Sequence, residues 1–163
     1  MKREFLQKQL AIVNVRAFLK AIRLGEGTLD DRGYHRMVGG EEFEDFSHHP
    51  NKRVYVPRYK VWSTAAGAYQ FIHRTWRSVV ELYDLPDFSP ECQDEGAVAL
   101  IEGRGALHNV IRGEFEEAIE KCSLEWASLP GHIDTDGQRE ASFNDVKAVY
   151  LDNGGTLAPG QRP

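Results

Sequence analysis

The apolar positions of the N-terminal third keep a helical spacing in one place. Val15, Phe18, Leu19 and Ile22 fall at i, i+3, i+4 and i+7, one face of an α-helix. Asn14 is the expected N-cap and Gly25 the expected C′ residue. Residues 26 to 62 lose that spacing. They contain glycine pairs, a His-His-Pro and the short run "RVYVP", which predicts loops with a short irregular β-hairpin. After Gly67 the helical spacing returns, with Tyr69, Ile72, Trp76, Val79, Val80 and Tyr83 on one face. In "DFSPECQDEGAVALIEG", Ser89 is placed to cap a helix, Pro90 suits its first turn, and acidic residues follow. A further helix carries Phe115, Ile119, Cys122 and Trp126 and stops at Pro130-Gly131. A last one covers about 139 to 152, with Phe143, Val146, Val149 and Tyr150 inward, and ends at Gly154-Gly155. The layout is mainly α (α+β), with a small irregular β-containing lobe after the first helix. Such an insertion is a natural way to form a cleft. Residues 1–156 are expected to form a single domain and 157–163 a flexible tail.

Composition narrows the function classes. A chain of 163 residues can bury a sizeable core, and its net charge of −5 argues against a nucleic-acid partner. Cys92 and Cys122, thirty residues apart and outside any CxxC, read as buried thiols. The longest clean apolar run near the N-terminus is "LAIV", too short for a signal-peptide core, and no stretch approaches a membrane span. The expectation is a protein made in the cytoplasm, without stable membrane association. The histidines show no HExxH or other metal-ligand spacing, and neither GxSxG nor a P-loop is present. No metal or cofactor is expected.

Two short stretches carry candidate chemistry. In "GEGT", Glu26 stands between two glycines where a helix ends. On spacing alone it is an exposed residue beside a glycine cap. The functional reading is a carboxyl that a bulky substrate can approach because its neighbours lack side chains. Burial and the negative end of a helix both raise a carboxyl's pKa, as a general acid requires near neutral pH. In "WSTAAGAYQ", Ser63 and Thr64 can cap the following helix, and small residues leave room before Tyr69 and Gln70. An aromatic face and a two-way amide suit a sugar. Capping and core packing explain the same stretch without a ligand.

Taken in order, six blocks resemble one family. They are "EGT" from Glu26, "GY…VGGEEFEDFSHHP" from Gly33, "STAAGAYQ" from Ser63, "DFSPECQD" from Asp87, "RGAL" from Arg104 and "CSLEWASLPG" from Cys122. The chain resembles the lambda-type endolysins, a family of lytic transglycosylases, from about residue 14 to 156. The resemblance implies a lysozyme-like fold of two lobes with a saccharide groove between them. It implies Glu26 as the catalytic acid, and Thr28, Tyr34, Ser63, Thr64, Tyr69, Gln70 and Trp126 as substrate-binding positions, although Trp126 fits the core equally well. It further implies a monomer that acts on peptidoglycan glycan strands. Such a protein waits in the host cytoplasm until a holin opens the inner membrane, then reaches the periplasm and cell wall. Three departures stand out: a shorter loop from Thr28 to Tyr34, His35 where the family has an aspartate, and Ala68 where it has an arginine.

A hydrolytic lysozyme pairs two carboxylates across the bond it cleaves. Asp30, Asp31 and Asp45 are the candidate partners for Glu26. A lytic transglycosylase needs no second acid, because the muramoyl 6-hydroxyl attacks from within. Two other readings remain at this point: a hydrolytic muramidase, and a non-catalytic glycan-binding phage protein.

Overall fold

The computed structural model describes residues 2–130 and 142–161. Their centre is α2 (Val13–Glu26), where Val15, Ala17, Phe18, Leu19, Ala21 and Ile22 are all buried. The expected face is there, and Ala17 and Ala21 extend burial beyond it. Helices α1 (Lys2–Leu10), α4 (Pro90–Gly103), α5 (Leu107–Arg112) and α7 (Phe143–Asp152) pack around this helix. From α6 (Phe115–Cys122), the Phe115 ring meets Phe18 at 5.8 Å and Tyr150 at 4.7 Å between centroids. Edge-to-face and tilted contacts of this kind add to the burial of the rings themselves. Helix α3 (His73–Tyr83) lies on α4 and buries Trp76 and Val79.

Several boundaries differ from the sequence reading. Helix α2 begins with Ile12 at its N-cap, so Asn14 is not a cap. Asn14 is buried, and its amide finds partners across the fold: it donates to Ile111 O at 3.1 Å and accepts from Thr156 N at 3.0 Å. A buried amide left unpaired would be costly, and these bonds tie the C-terminal segment to the start of α2. Helix α6 ends at Cys122, before Trp126. Helix α3 begins at His73, so Tyr69 and Ile72 precede it. Helix α7 begins at Phe143, and residues 139–141 of the expected helix lie outside the described residues. In the segment expected as a tail, Leu157 packs on the core and Ala158 N donates to Gly113 O at 2.9 Å. At α4 the reading matches: the Ser89 side chain accepts from Cys92 N, with Pro90 in the first turn.

Between α2 and α3, residues 27–72 contain a 3₁₀ turn at Gly33–His35 and one antiparallel hairpin, β1 (Val54–Val56) with β2 (Val61–Ser63). Tyr55 faces Trp62 across it. Beyond the hairpin, isolated bridges at Arg36–Glu42, Met37–Ala66 and Ala66–Phe71 pair part of the backbone, and buried side chains satisfy more of it. Gln93 of α4 is fully buried; it accepts from Ala68 N and donates to Phe88 O and Tyr34 O. His49 accepts from Asn51 N at Nδ1, which leaves Nε2–H to donate to Phe71 O at 2.8 Å. Burial holds this imidazole neutral, its pKa pushed down to about 4.

Candidate active site

The acid is positioned by the way α2 stops. Gly27 adopts φ +72°, a left-handed conformation that only glycine enters freely. Gly27 N donates to Leu24 O, and Thr28 N donates to Arg23 O. This is a Schellman reversal, with Gly27 rather than Gly25 at C′. Glu26 is therefore the last helical residue. Arg23, one turn earlier, is buried and locks the reversal: its guanidinium donates to Thr28 O at 2.7 Å and to Asp30 O at 3.0 Å, and lies over the Tyr34 ring.

The two flanking glycines do different work. Gly27 allows the reversal. At Gly25, an added Cβ would stand 2.9 Å from Ser128 Oγ and 3.2 Å from Leu129 Cδ2. A side chain here would therefore displace Ser128, while Gly25 itself lines the groove. The close approach lets the Ser128 hydroxyl donate to Glu26 Oε2. Ser128 lies 102 residues along the chain and was not among the expected site residues. Only its place in "WASLPG" marked that region.

Glu26 keeps a partial opening to a groove of about 390 Å³. Most of its surroundings are protein. Burial raises its pKa to about 7, and the Ser128 hydrogen bond holds it from rising further. The partial negative charge at the end of α2 acts in the same direction as burial. A carboxyl of this kind is half protonated near neutral pH, the state a general acid needs.

The structure sorts the other expected residues into two sets. Ser63, Tyr69, Gln70 and Trp126 line the groove with Glu26. Gln70 has φ +50°, and its amide donates to Arg36 O and Gly67 O. Tyr69 and Trp126 present little surface, being 1% and 3% exposed. Trp126 Nε1 donates to Tyr69 O at 3.0 Å and joins the two walls. The second set sits behind the wall. Thr28 is fully buried, and its hydroxyl donates to Ala68 O. Thr64 Oγ1 accepts from His73 N across nine residues, but the N-cap of α3 is Ile72, so the expected local cap at Ser63-Thr64 is not formed. Tyr34 and Tyr69 both donate to Asp94, at 2.8 and 2.6 Å. Burial raises the pKa of Asp94 while the two phenols hold it down. Thr28 and Tyr34 therefore support the groove from behind, because their polar atoms already bond inside the fold, whereas Thr64 is half-buried and lines a neighbouring cleft.

The candidate second acids stand apart. Asp30 is exposed and pairs with Arg36 at 2.6 Å, which lowers its pKa. Asp45 is exposed and accepts from Ser47 N. Asp31 is exposed as well. None of the three lines the groove. Among the described residues, its other acidic lining residue is Glu125, paired with Arg104 at 2.8 Å. His35, in the family's aspartate position, packs on Phe46 and places Nδ1 2.9 Å from Phe43 O. Cys92 and Cys122 are buried free thiols, and burial pushes Cys122 up to about 12. Among the described residues, no group of His, Cys, Asp and Glu is placed to hold a metal, and no helix is long and apolar enough to cross a membrane.

This architecture has close counterparts. The endolysin of Escherichia phage lambda is 42% identical over 149 residues, 87% of this chain and 92% of its own. That of Escherichia phage P2 is 39% identical over 160 residues, 89% and 95% of the two chains. A solved structure of bacteriophage lambda lysozyme with a chitohexasaccharide has a TM-score of 0.81 at 40% identity. A second lambda lysozyme structure has a TM-score of 0.78 at 37% identity. Each covers 89% of this chain and 96% of the other. The expected lysozyme-like fold is the fold found. The family model described as Endolysin matches residues 16–157, and with that span, these identities and this architecture, the chain belongs to the endolysin family.

Proposed function

We propose that the protein degrades peptidoglycan as a lytic transglycosylase, cleaving the β-1,4 bond between N-acetylmuramic acid and N-acetylglucosamine. The observation that carries this reading is a groove with one buried, high-pKa carboxyl and, among the described residues, no free second acid beside it. Glu26, protonated, donates its proton to the glycosidic oxygen as the C1–O bond breaks. The muramoyl N-acetyl group assists as positive charge develops at C1. Glu26, now ionised, takes the proton of the 6-hydroxyl of the same sugar, whose oxygen bonds to C1. The products are a 1,6-anhydromuramoyl end and a free 4-hydroxyl on N-acetylglucosamine, and the acid is regenerated. The nucleophile belongs to the substrate, so its effective concentration is high and no water needs activation.

Ser63, Tyr69, Gln70 and Trp126, which line the groove, form the substrate-binding surface around Glu26 in this reading. The protein works as a monomer during host lysis. It is held in the cytoplasm until a holin gives it access to the wall. Mass spectrometry of muropeptides released from purified peptidoglycan tests the chemistry. Anhydro ends, lighter than reducing ends by one water, are expected. Reducing ends would show hydrolysis and direct attention to Glu125, rather than to Asp30, Asp31 or Asp45.

A further inference from the structure

The groove at Glu26 does not end at its own walls. Ile72, 53% exposed, and Thr75 line both that groove and a second cleft of about 620 Å³. The second cleft runs beside α3 and continues into a third of about 420 Å³ through Asn51, His73, Arg77 and Glu81. Together they form a side branch between residues 48–51 and the outer face of α3.

Its chemistry differs from that of the main groove. The protein is acidic overall, yet α3 presents Arg74 and Arg77 here within one turn of each other. Arg74 is exposed and has no ion-pair partner among the described residues. Among the described residues, Arg77 is ion-paired only with Glu81, one turn on at 3.8 Å, with both side chains about 70% exposed. Such a pair contributes little to stability and is readily exchanged for a ligand. The branch therefore offers two guanidiniums, one carboxylate and an apolar step at its mouth.

We infer that this branch holds the peptide stem carried by the muramoyl residues of the substrate. The inference rests on the peptidoglycan reading above. Every stem-bearing muramoyl unit projects a short peptide sideways from the glycan, with several carboxylates and a free amine. A glycan seated over Glu26 must send that peptide out of the groove, and the Ile72–Thr75 mouth opens toward matching charge. Arg74 and Arg77 receive stem carboxylates; Glu81, released from Arg77, receives the amine.

The test compares the wild-type protein with Arg74→Ala/Arg77→Ala on two substrates. One is soluble peptidoglycan with stems, the other the same glycan stripped of stems by an amidase. On the stem-bearing substrate, the double variant should raise KM about fivefold or more with kcat unchanged, and added salt should narrow the difference. On the stripped glycan, wild type and variant should agree. Equal kinetics on the stem-bearing substrate, or an equal loss on both, would overturn the inference while leaving glycan cleavage intact. Wild-type protein that cleaved neither substrate would overturn both readings.

Discussion

Around Phe18 the molecule is held by apolar side chains on regular helices, and the backbone there satisfies itself. Around Ala68 it is held by polar side chains that reach from one element to the backbone of another: Gln93, His49, Thr28 and Arg23. The first region owes its stability to burial, which is tolerant of small shifts. The second owes its shape to hydrogen bonds, which are directional and poorly replaced. Glu26 stands where the two meet, carried by a core helix and released into the groove by a reversal that Arg23 locks. Precision at the acid thus depends on the polar region, and persistence of the fold on the apolar one.

That contrast can be broken at the junction first. Glu26→Gln should lower muropeptide release roughly a thousandfold, within the range expected for losing a general acid, with far-UV circular dichroism unchanged. Its stability effect has the opposite sign. The folded pKa, about 7, lies above the ordinary 4.5, so the folded wild-type protein binds the Glu26 proton more tightly than the unfolded chain does. That contribution is complete below about pH 4.5 and is lost as pH rises toward 7. Denaturant titrations should show wild type losing up to about 3 kcal/mol relative to Glu26→Gln across that window. Parallel curves would mean that Glu26 is not buried as described.

Phe18→Ala should remove about 3–5 kcal/mol of global stability, read as a lower denaturation midpoint and faster exchange of the slowest amides. Gln93→Leu should remove about 2–3 kcal/mol by orphaning the Ala68 N–H and two carbonyls. Hydrogen exchange should localise its effect to residues 34–71, with α2 and α7 still protected. Uniform loss in both variants would erase the distinction between the regions. The smallest expected effect is the most diagnostic. Ser128→Ala removes the bond that holds the Glu26 pKa down, so the loss of activity on the alkaline side should move to higher pH. An unmoved limb would mean that another group sets it. Among the described residues, the charged groups on the elements around that carboxyl are the Glu125–Arg104 pair, Arg36 at Gly27 O and buried Arg23, and none of them changes in this variant.

Legibility followed the same division. The α2 face and the Ser89–Pro90 start of α4 were readable because periodicity and capping act within a few residues. Helix α1, with only Leu6 buried, and the six-residue α5 carried too little pattern to be seen. Asn14 had the composition of a cap and serves as a long-range tie instead. Ser128 was invisible for a similar reason: hydrogen bonds between distant segments leave no periodic trace. Thr28 and Tyr34 were brought to notice by family resemblance. Only geometry shows that they brace the groove from behind.

The packing of α2 against α7, with Thr156 bonded to Asn14, also sets an order of events during synthesis. The acid-bearing helix is made early but is enclosed by residues that leave the ribosome more than a hundred positions later. Contacts of such sequence separation close slowly and last. A growing chain that has reached α6 carries Glu26 on a helix still missing one side of its enclosure. Cutting activity should therefore emerge only once residues 143–156 are in place.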